Sequence, residues 1–224
     1  MPPRLKAFSS SVGTKLLISL TGLALFLYLV LHLVGNALVF LGPETFNQYS
    51  HRLLSSPLLV PIELGLLAVF LAHIYKTVTN LLDNRRARPV RYVNKRWAGK
   101  PSRKSVASST MIVSGLIIVL FVIIHVKGFK YGPYYEVGGS HVRDLYRMEM
   151  ENFSRPILVA FYVLCMALVG FHLWHGFSSA FQSLGADTPR CTPRVLALGK
   201  ALALAIAGGF LIIPLWAYFA GGQP

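Results

Sequence analysis

Five long apolar stretches divide this chain, at about 15–41, 58–82, 106–128, 156–182 and 195–220. Each is long enough to cross a bilayer, which takes about 20 helical residues at a rise of ~1.5 Å. In hydrocarbon every backbone N–H and C=O must be satisfied, and a helix does this within one segment. The sequence therefore predicts an all-α polytopic membrane protein, with residues 1–224 forming one bundle of five transmembrane helices. Only 13% of the residues are charged, against roughly a quarter in soluble domains. The formal charge of +14 would suit nucleic acid in another context. Here the basic residues lie between apolar blocks, where they meet membrane lipid, so no nucleic-acid partner is expected. Cys165 and Cys191 lie in a span and a loop and give no disulfide framework. The first apolar run is too long for a signal peptide and has no small-residue cleavage site after it. Pro156 suits the first turn of the fourth span, and Pro214 predicts a kink in the fifth.

Orientation follows from the loops. The segment 85–104 carries a dense basic run from Arg85 to Lys104. Arg4, Lys6, Arg190 and Arg194 fall on the same side. Arg52, Lys127, Lys130, Arg143, Arg147 and Arg155 are spread along the other. The positive-inside rule predicts a multi-pass protein of the cytoplasmic membrane, N-terminus cytoplasmic and C-terminus outside. The basic run serves either as a topology signal or as a docking surface for a cytoplasmic partner.

Histidines inside the spans carry the chemistry. An unpaired imidazole in hydrocarbon costs several kcal/mol, so each is a candidate for function. Counting from span ends puts His32 and His125 at an outer level and His73 and His172 at an inner one, roughly 10–15 Å apart. Each of four spans supplies one histidine. Paired neutral imidazoles on facing helices are what a b-type haem needs, one nitrogen from each on the iron. Two such pairs predict two haem b groups held in the bundle. Single histidines would equally serve interhelical hydrogen bonds. Gly22, Gly35, Gly65, Gly115 and Gly170 would let a flat macrocycle approach the helices, although for any one of them helix packing is the better reading. His175 competes with His172 as a ligand, but His172 matches the depth of His73 better. His175 and Lys76 then stand one turn toward the inner surface, suited to haem propionates. Lys76 would also simply snorkel to the interface.

With those residues in place the chain resembles the di-haem cytochrome b subunit of succinate dehydrogenase and fumarate reductase, the five-span type with one membrane subunit. The resemblance covers nearly the whole chain. It rests on the order and spacing of Leu31-His32-Leu33-Val34-Gly35-Asn36, Gly42-Pro43-Glu44-Thr45-Phe46-Asn47 with His51 after it, Leu71-Ala72-His73-Ile74-Tyr75, Ile124-His125-Val126 and Phe171-His172-Leu173-Trp174-His175-Gly176. It implies the same ligand pairs, His32 with His125 and His73 with His172. It implies a membrane anchor that passes electrons from a cytoplasmic iron–sulfur subunit, fed by a flavoprotein subunit, through two haems to a quinone, with menaquinone favoured. A higher oligomer of the complex is compatible with this. The chain has no Gly-rich nucleotide fingerprint and no cysteine cluster, so it would not perform the dicarboxylate chemistry itself. Fumarate-reducing relatives can carry a glutamate where this chain has Gly170, which favours succinate oxidation. Two other functions fit the same spans: a di-haem cytochrome b of a hydrogenase or formate dehydrogenase, and a haem-free transporter or assembly protein. The quinone is expected at the outer side, under a short amphipathic helix at 43–55. Its Phe46, Tyr49 and Leu53 are expected on one face, and Glu44, Asn47 and His51 on the other as candidate quinone partners.

Overall fold

The computed structural model describes residues 10–87 and 106–220, and among them it is helical with no strand. Arg4, Lys6 and the part of the basic run from 88 to 104 lie outside the described residues. Helix α1 spans Ser11–Ala37, α2 Pro43–Leu54, α3 Leu59–Arg86, α4 Met111–Phe129, α5 Leu145–Phe153, α6 Pro156–Ser183 and α7 Cys191–Phe219. Helices α1, α3, α4, α6 and α7 are long and apolar enough to cross a membrane, as the sequence predicts. Helix α7 runs on through Pro214, which is buried against the bundle.

Helix α6 is the centre. Its buried residues Val159, Tyr162, Met166, Val169, Leu173, Phe177 and Ala180 recur every three or four positions, the period of one helix face. It packs against α1, α4, α5 and, most extensively, α7. Small residues set that closeness. A Cβ at Gly199 of α7 would stand 2.9 Å from Phe177, and one at Gly170 of α6 would stand 3.0 Å from Ala207. In lipid, van der Waals packing of this kind replaces the hydrophobic effect as the force between helices. Leu20, Leu27, Leu31 and Val34 of α1 point outward on one face, where acyl chains would cover them. Helix α3 differs from the other spans. Among the described residues it packs closely only on α1, and it has no buried residue.

Two short helices cap one end. The chain leaves α1 through a 3-10 turn at Leu38–Leu41 and reverses at Gly42, whose φ of 94° suits glycine. Pro43 then opens α2 at its first turn. Helix α5 begins at Asp144, whose carboxylate accepts from the Arg147 N–H at 2.9 Å. Arg143 donates to the carbonyls of Phe129, Lys130 and Pro133, closing the C-terminus of α4. The caps are joined by Asn47, whose Nδ2 donates to Asp144 Oδ1 at 2.8 Å and whose Oδ1 accepts from the Tyr146 N–H at 2.9 Å.

The buried face of α2 is therefore Phe46, Asn47 and Ser50, not the expected Phe46, Tyr49 and Leu53. Tyr49 and Leu53 are exposed. The reason is that α2 lies on α5, and the amide of Asn47 finds two partners there. Replacing Asn47 by Ala strips a bond to a carboxylate and a bond to a backbone N–H. It is expected to destabilise the folded protein by about 2–4 kcal/mol. Thermal unfolding in detergent, compared with Glu44→Ala on the exposed face, measures this.

Candidate functional site

His32 on α1, His73 on α3, His125 on α4 and His172 on α6 are all partly buried. They fall at two levels. The cap-side pair is His32 and His125, whose ring centroids are 5.9 Å apart with planes at 90°. Two imidazoles on opposite sides of one metal, each bonded at about 2 Å, place their centroids about 6 Å apart. This pair already stands at that separation. His125 lies between Phe121 and Phe129, at centroid distances of 5.5 and 5.2 Å, one turn away on either side. His32 stacks on Tyr28 at 5.3 Å and meets Phe210 of α7 at 5.6 Å.

The second pair lies away from the cap. His73 Nδ1 is 3.0 Å from Thr21 Oγ1 of α1, and His172 Nδ1 is 3.2 Å from Ser114 Oγ of α4. A hydroxyl has one proton to give. Thr21 donates to the Leu17 carbonyl at 2.6 Å, and Ser114 donates to the Met111 carbonyl at 3.1 Å. Each hydroxyl is thereby left to accept from Nδ1–H. In that arrangement each ring carries its proton on Nδ1 and presents Nε2 as a lone pair, the form in which histidine binds metal. Glycine follows each hydroxyl. A Cβ at Gly22 would lie 3.1 Å from His73 Cε1, and one at Gly115 would lie 3.5 Å from His172 Cε1. The His73 ring can settle on α1 because that space is open, whereas a Cβ at Gly115 would make only an ordinary contact with His172. His73 and His172 make no ring contact with each other, so they do not touch as the cap-side pair does.

The cap-side nitrogens have different partners. His125 Nδ1 is 3.1 Å from the Tyr162 hydroxyl, which can give or take the proton. His32 Nδ1 is 3.3 Å from Asn36 Nδ2, which also donates to the His32 carbonyl at 2.7 Å. An amide nitrogen only donates, so His32 must turn Asn36 over before its Nε2 becomes a lone pair. Among the described residues no cluster of three or more metal-ligating side chains exists. A bare zinc site would want about four protein donors. Two imidazoles per level instead fit a metal that arrives with an equatorial ligand set of its own, as in haem.

Sequence reasoning missed Thr21, Ser114 and Tyr162. A signal was present for two of them. Thr21-Gly22 and Ser114-Gly115 are the same hydroxyl–glycine pair, and each hydroxyl stands eleven residues before its helix's own histidine, His32 or His125. Eleven residues make about three turns, so hydroxyl and histidine share one face, about 16 Å apart along the axis. Helices α1 and α4 thus serve both levels in the same way. Glu63 of α3 also escaped notice, and it forms an ion pair with Lys130, at the end of α4, on the cap side.

His175 is half-buried one turn from His172, and its ring has no hydrogen bond among the described residues. Ser114 holds His172 instead, which supports His172 as the ligand. Lys76 stands one turn from His73 with its ammonium 5.9 Å from the Tyr75 ring. Glu44 borders a surface cleft of about 450 Å³ with Thr45, Gln48, Tyr49 and Arg52. His51 is partly buried and does not line the cleft, and Asn47 is turned away into the cap. The structure therefore does not gather Glu44, Asn47 and His51 at one place. Comparison with protein-family models, curated proteins and solved structures finds no match.

Proposed function

We propose that the chain is a di-haem cytochrome b, the membrane anchor and electron conduit of a succinate:quinone oxidoreductase. One observation carries the haem assignment. Four helices each supply a histidine whose Nδ1 is engaged by a side chain, at two levels about 16 Å apart. A metal-bound histidine donates the proton of its second nitrogen to such a partner, as His73 and His172 would to Thr21 and Ser114. His32 and His125 would hold one haem, and His73 and His172 the other. Bound haem would supply a one-electron redox centre at each level. The chain's own residues do the rest. The apolar walls Phe121, Phe129 and Phe210 exclude water from the cap-side pair, while Thr21 and Ser114 hold the other pair in its ligating tautomer.

The partners rest on the sequence resemblance and on charge. The N-terminal side, with its basic loop, would face the cytoplasm and an iron–sulfur subunit carrying electrons from a flavoprotein. Arg85 and Arg86, at the end of α3, lie on that side. The capped end would then be outside, and the cleft beside Glu44 is the place for a quinone. Electrons would enter at His73 and His172 and leave from His32 and His125. The test is purification of the intact complex from its native membrane. Two haems per chain, a flavin-containing partner and haem reduction by succinate are expected. A preparation without haem overturns the assignment; haem reducible by hydrogen or formate but not by succinate reassigns the partner.

A further inference from the structure

Three acidic side chains belong to α5 and its cap. Asp144 is used by Asn47 and by the α5 N-terminus. Glu151 meets Tyr135 at 2.6 Å and Arg147 at 2.8 Å on the surface. Glu149 is turned inward and is 4% exposed. Among the described residues its carboxyl has no hydrogen bond and no ion pair. One turn further on, Asn152 also buries its Nδ2 without a partner. One turn beyond Glu149, the Phe153 ring meets that of Tyr162 of α6 at a centroid distance of 5.0 Å. No charged side chain of α2, α4, α6 or α7 offsets the burial of Glu149. The Tyr162 hydroxyl is itself 3.1 Å from His125 Nδ1. A buried acid without a partner thus lies one helical turn from the aromatic contact that leads to the cap-side histidine pair.

We propose that Glu149 is the proton-holding residue of the cap-side pair: when an electron arrives there, its carboxylate takes up one proton from water at the capped end, and both leave together toward a quinone. The proposal rests on the haem assignment above. The balance is one electron in from the other level, one proton in from cap-side water, and one of each out. The physical reason is that uncompensated charge in an apolar site is costly, and this carboxyl has no cation to answer it. Burial pushes the carboxyl up to about 8. Below that pH it keeps its proton whatever the redox state, and above it reduction draws a proton in.

The experiment is a potentiometric titration of the purified holoprotein over a pH series, with haem counted in every sample. The cap-side midpoint potential should be level below neutrality and fall as pH rises above about 8. Glu149→Gln removes the proton site and should make it level throughout, with both haems retained. Glu149→Asp should keep the fall but move its window. The reduced-minus-oxidised infrared spectrum of the unaltered protein should show a protonated-carboxyl band gained on reduction above that pH and missing in Glu149→Gln. Two haems with the same pH dependence in all three proteins overturns the proposal and leaves the haem assignment standing. Protein without haem overturns both.

Discussion

Replacing His125 by alanine is expected to remove one of the two proposed haems and leave the other. Purified protein should fall from two haems per chain to one, measured by haem extraction against protein concentration. His32→Ala should give the same spectrum, because the two rings face each other at 5.9 Å. One axial imidazole would not hold the group as two would. The remaining haem should be the one on His73 and His172. Their supports at Thr21 and Ser114 lie about 16 Å along the same helices, beyond the reach of a local change in packing. His73→Ala and His172→Ala should give the complementary spectrum. His175→Ala should keep both haems. Retention of two haems in His172→Ala with loss of one in His175→Ala would transfer the ligand role one turn along α6.

Removing the hydroxyls should weaken only the level away from the cap. Thr21→Val keeps the side-chain shape and deletes the group that receives Nδ1–H of His73. Ser114→Ala does the same for His172. Loss of such an outer partner typically costs about 10–100-fold in metal affinity. Each variant should therefore lose that haem to a haem-scavenging protein about 10–100 times more readily, while the cap-side haem is unaffected. Thr21→Ser restores the acceptor and should restore retention. A hydroxyl that only fills space would show the reverse order, with Val as good as Thr and Ser worse. Ser114→Thr is a poor control, because Ser114 is fully buried.

The sequence made much of this architecture legible for a simple reason. Charged and polar groups are costly in hydrocarbon, so long apolar runs stand out and the few histidines within them stand out further. Counting from span ends sorted those histidines into levels, and the contact of His32 with His125 agrees with the sorting. The Thr21 and Ser114 roles were hidden because both residues are ordinary in membrane helices. Their meaning lies in a neighbour 52 or 58 positions away. The face of α2 was misjudged for a related reason. Asn47 looks like a solvent-facing residue by helical period, yet its partners are 97 and 99 residues distant. Glu149 sits in the polar stretch Met148-Glu149-Met150-Glu151, where nothing local separates the buried acid from the exposed one. The folding of α5 onto α6 separates them.

Helix α3 leans on α1 alone, with one ion pair to α4 at its cap end. Little contact area has to be broken to part it from the bundle, whereas α6 is held on several sides. Local opening in a protein follows the weakest cooperative unit. A chain without the proposed haems would therefore behave as a firm core of four spans with a fifth that swings. A haem held as proposed by His73 and His172 would have its natural entry along that swinging side. Filling it would then act as a latch, giving α3 the second set of contacts that its own sequence does not provide.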